Sequence, residues 1–284
     1  MTKASGRKRL SAPMQIRNAT FRNRIVKSPQ DMNFADFEDG TITQNYIDFY
    51  GELARGGVGG IIIEQSIVDE EGYREGTVAV FDDRFIPGMV RLTKAVHEHG
   101  CPVIMQLNHL GPNAFFPPNG KHPGYEARVP SALDDDEMKK VFLGFPWKVR
   151  PLMVPEIKAI VVRFADAAER AKKAGFDGIE LHGDHYYLIN SFLSRVYNHR
   201  DDEYGCGSVE NRARFVVEVM KACRERVGDE FICGMKLKGA EYGDPLGTTV
   251  EEAQQFARMI EAAGADYFNV TADGYGDYSR VATA

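Results

Sequence analysis

The sequence predicts an α/β protein of the (β/α)8 TIM-barrel class, and three observations carry that prediction. A helical stretch that ends at glycine and passes within a few residues into a short β-rich run recurs five times. Chemically reactive residue types follow several different predicted strands, as the C-terminal face of a barrel demands. No GxGxxG opens a helix after the first strand, which argues against a dinucleotide-binding doubly wound sheet. With 284 residues, 43% of them hydrophobic, one large core is affordable, so a single domain over residues 1–284 is expected.

The elements follow in chain order. Arg24 to Ser28 reads as the first strand. The joints ELARGGVGGIII, AVHEHGCPVIMQL, AAERAKKAGFDGIEL, ACRERVGDEFICGMKL and MIEAAGADYFNV then place strands near 59–64, 102–107, 178–181, 231–237 and 267–271. Glycine just past a helix end accepts the left-handed backbone found there, and the apolar run after it suits a strand buried on both faces. Alternating strands and helices of this kind give a parallel sheet with right-handed crossovers. The joint after the third strand, residues 110–154, is long and rich in proline, with Trp147 and the acidic run Asp134 to Glu137. It reads as an inserted lid or hairpin.

Bulk properties exclude several function classes. The formal net charge is −6 with basic residues scattered among acids, so no basic stripe offers a grip on nucleic acid. No apolar run approaches the roughly 20 residues that span a bilayer, and MTKASGRKR is not followed by the apolar segment of a secretory signal. A cytoplasmic location is expected. The four cysteines form no CxxC pair and no metal-type spacing, as expected of reduced thiols.

Chemistry concentrates where the fourth strand ends, in LHGDHYYLINSFLS. His182 and His185 lie within one turn of each other, and two imidazoles in suitable tautomers can both donate N–H to a single carbonyl oxygen. Alternatively the pair satisfies buried backbone groups, or binds a metal with Glu180 or Asp184, although neither spacing matches a zinc motif. Tyr187 carries a phenol able to act as general acid. Gln106, ending the third strand, has the donor and acceptor needed to read an imide edge. Lys236, ending the fifth, can neutralise negative charge. The charged stretch Asn198 to Glu203 reads either as a solvated loop or as an internally paired one that orients the site, and by itself the solvated reading is preferred.

These segments resemble the Old Yellow Enzyme family of NADH:flavin oxidoreductases from about Met14 onward. NATFRNRIVKSP is similar to its opening strand, YGELARGGVGGIIIE to its second unit, and QLNHLG to its QLxHxG; AAERAKKAGFDGIELHGDHYYLINSFLS, then NHRDDEYG and SVENRARF, complete the likeness. The wording leans toward the dienoyl-CoA reductase and enoate reductase-like branch. The resemblance implies a barrel holding FMN, reduced by NADH or NADPH and reoxidised by an enone or enoyl compound. It implies cofactor contacts at Ser28, Pro29, Gln30, Gln65, Gln106, His182 and Lys236, substrate-carbonyl binding by His182 and His185, and proton donation by Tyr187. Larger relatives append an iron–sulfur cluster, whose cysteine motif is not found here, so no cluster is expected within this chain.

Departures from the family pattern accompany the likeness. Gln30 and Asp31 stand where relatives place methionine and a small threonine or cysteine, and an anion at Asp31 opposes a reduced, anionic flavin. Pro112 replaces a usual arginine, and YGCGS has one residue more than the common YGGS. The sixth predicted strand ends near Thr271 and the chain at Ala284, so the units carrying strands seven and eight, and the phosphate loops after them, are expected outside it. Open edges then favour a homo-oligomer or a complementing C-terminal chain. Two further readings stay open at this point: a metal-assisted barrel hydrolase or aldolase using His182, His185 and Glu180, and a truncated or split-barrel scaffold without catalysis.

Overall fold

The computed structural model describes residues 9–72, 75–114, 126–134 and 148–274. Trp147 and residues 135–137 of the acidic run lie outside the described residues. The described chain opens with an antiparallel pair that the sequence reading missed, β1 (Met14–Ile16) and β2 (Ala19–Phe21). Each has only three residues, too few for a period to show.

All six predicted strands are present. They are β3 (Val26–Lys27), β4 (Gly60–Ile67), β6 (Val103–Asn108), β9 (Gly178–Gly183), β10 (Ile232–Tyr242) and β11 (Tyr267–Gly274), with the short β5 (Val78–Ala79) beside β4. They pair in parallel in the order β11-β10-β9-β6-β4-β3. The first is shorter than expected and the fifth longer, running on through an irregularity between Lys238 and Ala240.

Helices α1 (Gln44–Arg55), α2 (Ile86–His97), α3 (Val154–Lys173), the short α4 (Leu188–Leu193), α5 (Val209–Val227) and α6 (Val250–Ala262) alternate with the strands. Thr43, Ser208 and Thr249 cap α1, α5 and α6 by accepting from backbone N–H groups of the first turn, which otherwise lack partners. None of the described helices is long and apolar enough to cross a membrane. All four cysteines are free thiols, and Cys101, Cys223 and Cys233 are buried.

Strand alternation divides the core in two. Ile61, Ile63, Val103, Met105, Ile179, Leu181, Cys233 and Met235 pack outward against the helices. Ile62, Ile104 and Ile232 form a separate cluster with Phe21 and Ala19, against which Met14 and Ile16 pack, so the β1–β2 pair floors the interior. Each fully buried Ile or Phe contributes about 1.5–3 kcal/mol through removal from water. The sheet curves until its outer strands approach each other: Asn269 Nδ2 donates to Ser28 Oγ over 3.3 Å. Between β3 and β11 lies a mostly apolar cleft of about 290 Å3 that includes Val26, Ile62, Ile104 and Tyr267.

Residues 127–129 and 149–151 of the long insertion form β7 and β8, paired in parallel. They are therefore not the two arms of a simple hairpin, whose strands run antiparallel.

Candidate active site

A bulge decides which side chains of β4 face the interior. Ile62 pairs with Ile104, yet Gln65 pairs with Gln106, so three steps on β4 match two on β6. The extra residue rotates the strand and turns Gln65 inward. Glu64 instead accepts from the backbone N–H groups of Met32 and Asn33, at 2.6 and 3.3 Å, and so fixes the loop that follows Ser28, Pro29 and Gln30.

Gln65, Gln106, Glu180, Gly234 and Tyr267 occupy one level across five strands. A Cβ at Gly234 would lie 2.1 Å from the Tyr267 ring, so only glycine lets that ring lie inward. Tyr267 Oη and Gln106 Nε2 donate to the two oxygens of Glu180 at 3.1 and 2.8 Å. One donor of Gln106, expected to meet an imide edge, is thus committed to Glu180. Both oxygens of Glu180 are likewise engaged away from the histidine pair, and among the described residues no group of three His, Cys, Asp or Glu is placed to hold a metal.

Burial lifts the Glu180 carboxyl to about 7, against the opposing hydrogen bonds from Gln106 and Tyr267 and the charge of Lys236. Its folded value lies above the ordinary 4.5, so the native state holds a proton that the unfolded chain releases, and stability falls as pH rises between these values. Glu180→Gln is expected to stabilise the chain at pH 8 by about 1–3 kcal/mol, with the gain shrinking toward pH 5. Urea unfolding at both pH values measures it; equal gains would contradict the assignment.

One level nearer the C-terminal ends, His182, Lys236 and Asn269 stand side by side on β9, β10 and β11. His182 is 4% exposed and Lys236 6%. Burial, reinforced by His185 and the two lysines, holds His182 well below the usual histidine range, so it is a neutral imidazole at physiological pH. Its Nδ1 is buried with no hydrogen-bond partner in the structure. The His185 ring lies 5.4 Å from that of His182, and the Tyr187 ring 4.7 Å, each nearly edge-on.

His185 and Tyr186 both adopt left-handed backbone conformations, φ 53° and 60°, which are uncommon for non-glycine residues and persist only when surroundings enforce them. Four contacts do so here. Asp184 accepts from the His185 N–H at 2.7 Å, Asn190 accepts from the Tyr186 N–H at 2.9 Å, Asn113 donates to the His185 carbonyl at 2.8 Å, and Tyr187 N–H reaches the Asp184 carbonyl at 3.3 Å. Sequence reasoning weighed Asp184 only as a metal ligand. In the fold its fully buried carboxylate lies 3.5 Å from His185 Nδ1 and 3.4 Å from Lys238 Nζ, and accepts from Thr271 Oγ1 at 2.5 Å. Burial opposes the ionised form, but Lys238, His185 and Thr271 together hold Asp184 down to about 2. Lys238 also sits 3.6 Å over the Tyr186 ring and 3.7 Å from Glu241.

The loop after β6 supports this turn from the other side. Gly111 has φ 54°, and a Cβ there would approach Leu188 Cα to 2.7 Å. That contact lets Leu188 N–H donate to the His109 carbonyl at 3.1 Å. His109 is buried 3.3 Å from Asp69, which also pairs with Arg163; these two partners hold Asp69 well below the usual carboxylate range although burial opposes it.

The stretch Asn198 to Glu203 is paired internally, which corrects the solvated reading. Asn198 donates to the carbonyls of Phe192 and Tyr204, and Arg200 bonds Asp202 and the carbonyls of Pro130 and Leu152 at 2.5 and 2.6 Å. It ties α4 to the feet of the insertion.

The model of the NADH:flavin oxidoreductase / NADH oxidase family matches residues 9–280. The chain belongs to this family. It is 40% identical to an NADH oxidase of Thermoanaerobacter brockii over 266 residues, which are 92% of this chain and 38% of that protein. The chain thus spans less than two fifths of that relative's length. Among solved structures, the 2-naphthoyl-CoA reductase complex with 2-naphthoyl-CoA superposes with TM-score 0.84 at 29% identity, covering 94% of this chain and 41% of that one. Morphinone reductase in complex with tetrahydroNAD gives 0.77 at 29% identity, covering 92% and 73%. The family member described here therefore has the fold of the Old Yellow Enzyme (β/α)8 barrels, with six parallel barrel strands among the described residues.

Proposed function

We propose that this family member works as an FMN-dependent oxidoreductase that uses NADH or NADPH to reduce the C=C bond of an α,β-unsaturated carbonyl compound. The observation that carries this reading is the edge-on cluster of His182, His185 and Tyr187 around a buried imidazole nitrogen without a partner. A polar atom buried without a hydrogen bond is costly, and a ligand acceptor at the barrel mouth would relieve that cost. The residues present fit a flavin beside it. Ser28, Gln106, His182 and Lys236 converge at the C-terminal ends of their strands, with Pro29 and Gln30 in the adjoining loop; Gln65 shares the level of Gln106, but its amide is engaged by Asp31, Tyr187 and Asn108.

FMN, when bound, supplies reversible hydride transfer between nicotinamide and substrate carbon. His182 and His185 donate N–H groups to the substrate carbonyl oxygen and withdraw charge from the conjugated alkene, which lowers the barrier where negative charge develops. Tyr187 gives its phenol proton to the carbon next to the carbonyl. Lys236, a buried cation level with His182, offsets negative charge at the same depth. The same reading takes the outer edges of β3 and β11 to receive further parallel strands, from the same polypeptide or a complementing chain, because an open apolar sheet edge invites pairing.

Titration with FMN is expected to saturate and perturb the visible flavin band, and a cyclic enone is expected to reoxidise the bound, nicotinamide-reduced flavin. Failure to bind FMN saturably would leave only a scaffold role for this chain. Binding with no reoxidation by any conjugated carbonyl would overturn the substrate class.

A further inference from the structure

We propose that Asp31 and Gln65 are positioning residues that aim and activate the Tyr187 hydroxyl. The proposal rests on the reading of Tyr187 as proton donor given above. Gln65 Nε2 donates to Asp31 Oδ2 at 2.6 Å and to Tyr187 Oη at 3.1 Å, while Gln65 Oε1 accepts from Asn108 Nδ2 at 2.5 Å. All three positions of this amide are therefore committed.

Donor and acceptor bookkeeping fixes the direction of the chain of bonds. A carboxylate oxygen only accepts, so the end of Gln65 that meets Asp31 must be its nitrogen. The second hydrogen of that nitrogen then points at Tyr187, whose oxygen must accept. Tyr187 cannot spend its own hydrogen on Gln65. The phenol proton is directed elsewhere, on a residue whose ring stands 4.7 Å from His182 and 6.4 Å from His185.

The same bond stabilises what proton delivery leaves behind. In that step the electron pair of the enolate forms a new C–H bond, the Tyr187 O–H bond breaks, and the phenolate oxygen keeps its pair until solvent returns a proton. A hydrogen bond donated to the charged form favours that form, so Gln65 makes Tyr187 a better acid. Asp31 acts through Gln65: it is the obligate acceptor of the set, whereas Asn108 can present either its nitrogen or its oxygen, so without Asp31 the two amides can turn together and the Gln65 oxygen can accept the hydrogen bond of the phenol that the substrate needs. The bulge in β4 is what brings Gln65 inward to join two loops otherwise unrelated in sequence.

Two measurements test the proposal, one on the ligand-free 284-residue chain and one on the FMN-loaded protein. With 15N-labelled glutamine side chains, both Gln65 amide protons are expected to be shifted and protected from exchange. Asp31→Ala, at an exposed position, should release one and Tyr187→Phe the other; if both variants leave the pair unchanged, the clamp does not exist. In the loaded protein Gln65→Met is expected to slow enone-driven reoxidation about 10-fold or more. The double variant with Tyr187→Phe should be no slower than Tyr187→Phe alone, because the two act as one unit. Additive losses would overturn the proposal, as would an unaffected Gln65→Met beside a slowed Tyr187→Phe. An unaffected Tyr187→Phe would remove the functional reading as well.

Discussion

His182→Ala is expected to slow reoxidation of the reduced flavin by a conjugated carbonyl about 10²-fold or more, the scale on which rates fall when one oxyanion donor is removed. The expectation follows from placement. His182 is the penultimate residue of a buried strand, lies level with Lys236 and keeps a buried nitrogen without a partner. Burial, His185 and the neighbouring lysines hold it neutral, so the loss should be the same at pH 6 and pH 8. Reduction of the flavin by nicotinamide should suffer less, since no carbonyl oxygen is being gripped in that step. Stopped-flow measurement of both half-reactions separates the cases. Equal losses in the two would indicate a general defect in folding or cofactor binding instead.

Lys238→Met is expected to cost about 3–5 kcal/mol of stability at neutral pH, because it strips a fully buried carboxylate of its cation. Lys238 is 2% exposed and Asp184 0%. In the parent chain Asp184 is held at about 2 against an ordinary 3.8. Its contribution is therefore complete above about pH 4 and is lost as pH falls through 2. Without Lys238, burial dominates and pushes the Asp184 carboxyl up, so protonation relieves the variant as the solution is acidified. The gap between parent and variant should narrow from pH 7 toward pH 4 in urea unfolding. A gap that does not change with pH would mean that Lys238 contributes packing against Tyr186 and little through charge. The left-handed turn at His185 depends on Asp184, so a shifted His185 resonance should accompany the loss.

The parts of this molecule legible in its sequence are those set by local rules. Gly100, Gly175 and Gly264 follow helices in left-handed conformations, and their apolar sequels are buried strands, which is why the punctuation marked five of the six. His182, His185 and Tyr187 lie within six residues of each other, so strand alternation and one turn suffice to gather them. What stayed hidden depends on partners far along the chain. The β4 bulge is a relation between β4 and β6 and decides that Gln65 faces inward while Glu64 holds the loop at Met32. Arg200 finds carbonyls 70 and 48 residues away, which no reading of NHRDDEYG alone supplies. Gln106 shows the same limit: its residue type suggested a ligand contact, but Glu180, facing it on the next strand, claims one of its donors. Lys238 had no signal of its own: it lies two residues from Lys236 on β10, and only the register of β10 against β11 pairs it with Thr271 beside Asp184.

The account turns on paired imidazoles gripping a carbonyl oxygen, and a crystal structure of the FMN-loaded protein with a bound cyclic enone measures that directly. The oxygen is predicted to lie about 2.6–3.2 Å from one nitrogen of His182 and one of His185, with the adjacent carbon facing the Tyr187 hydroxyl. An oxygen bound out of reach of both rings, in a site that still turns over the enone, would contradict it.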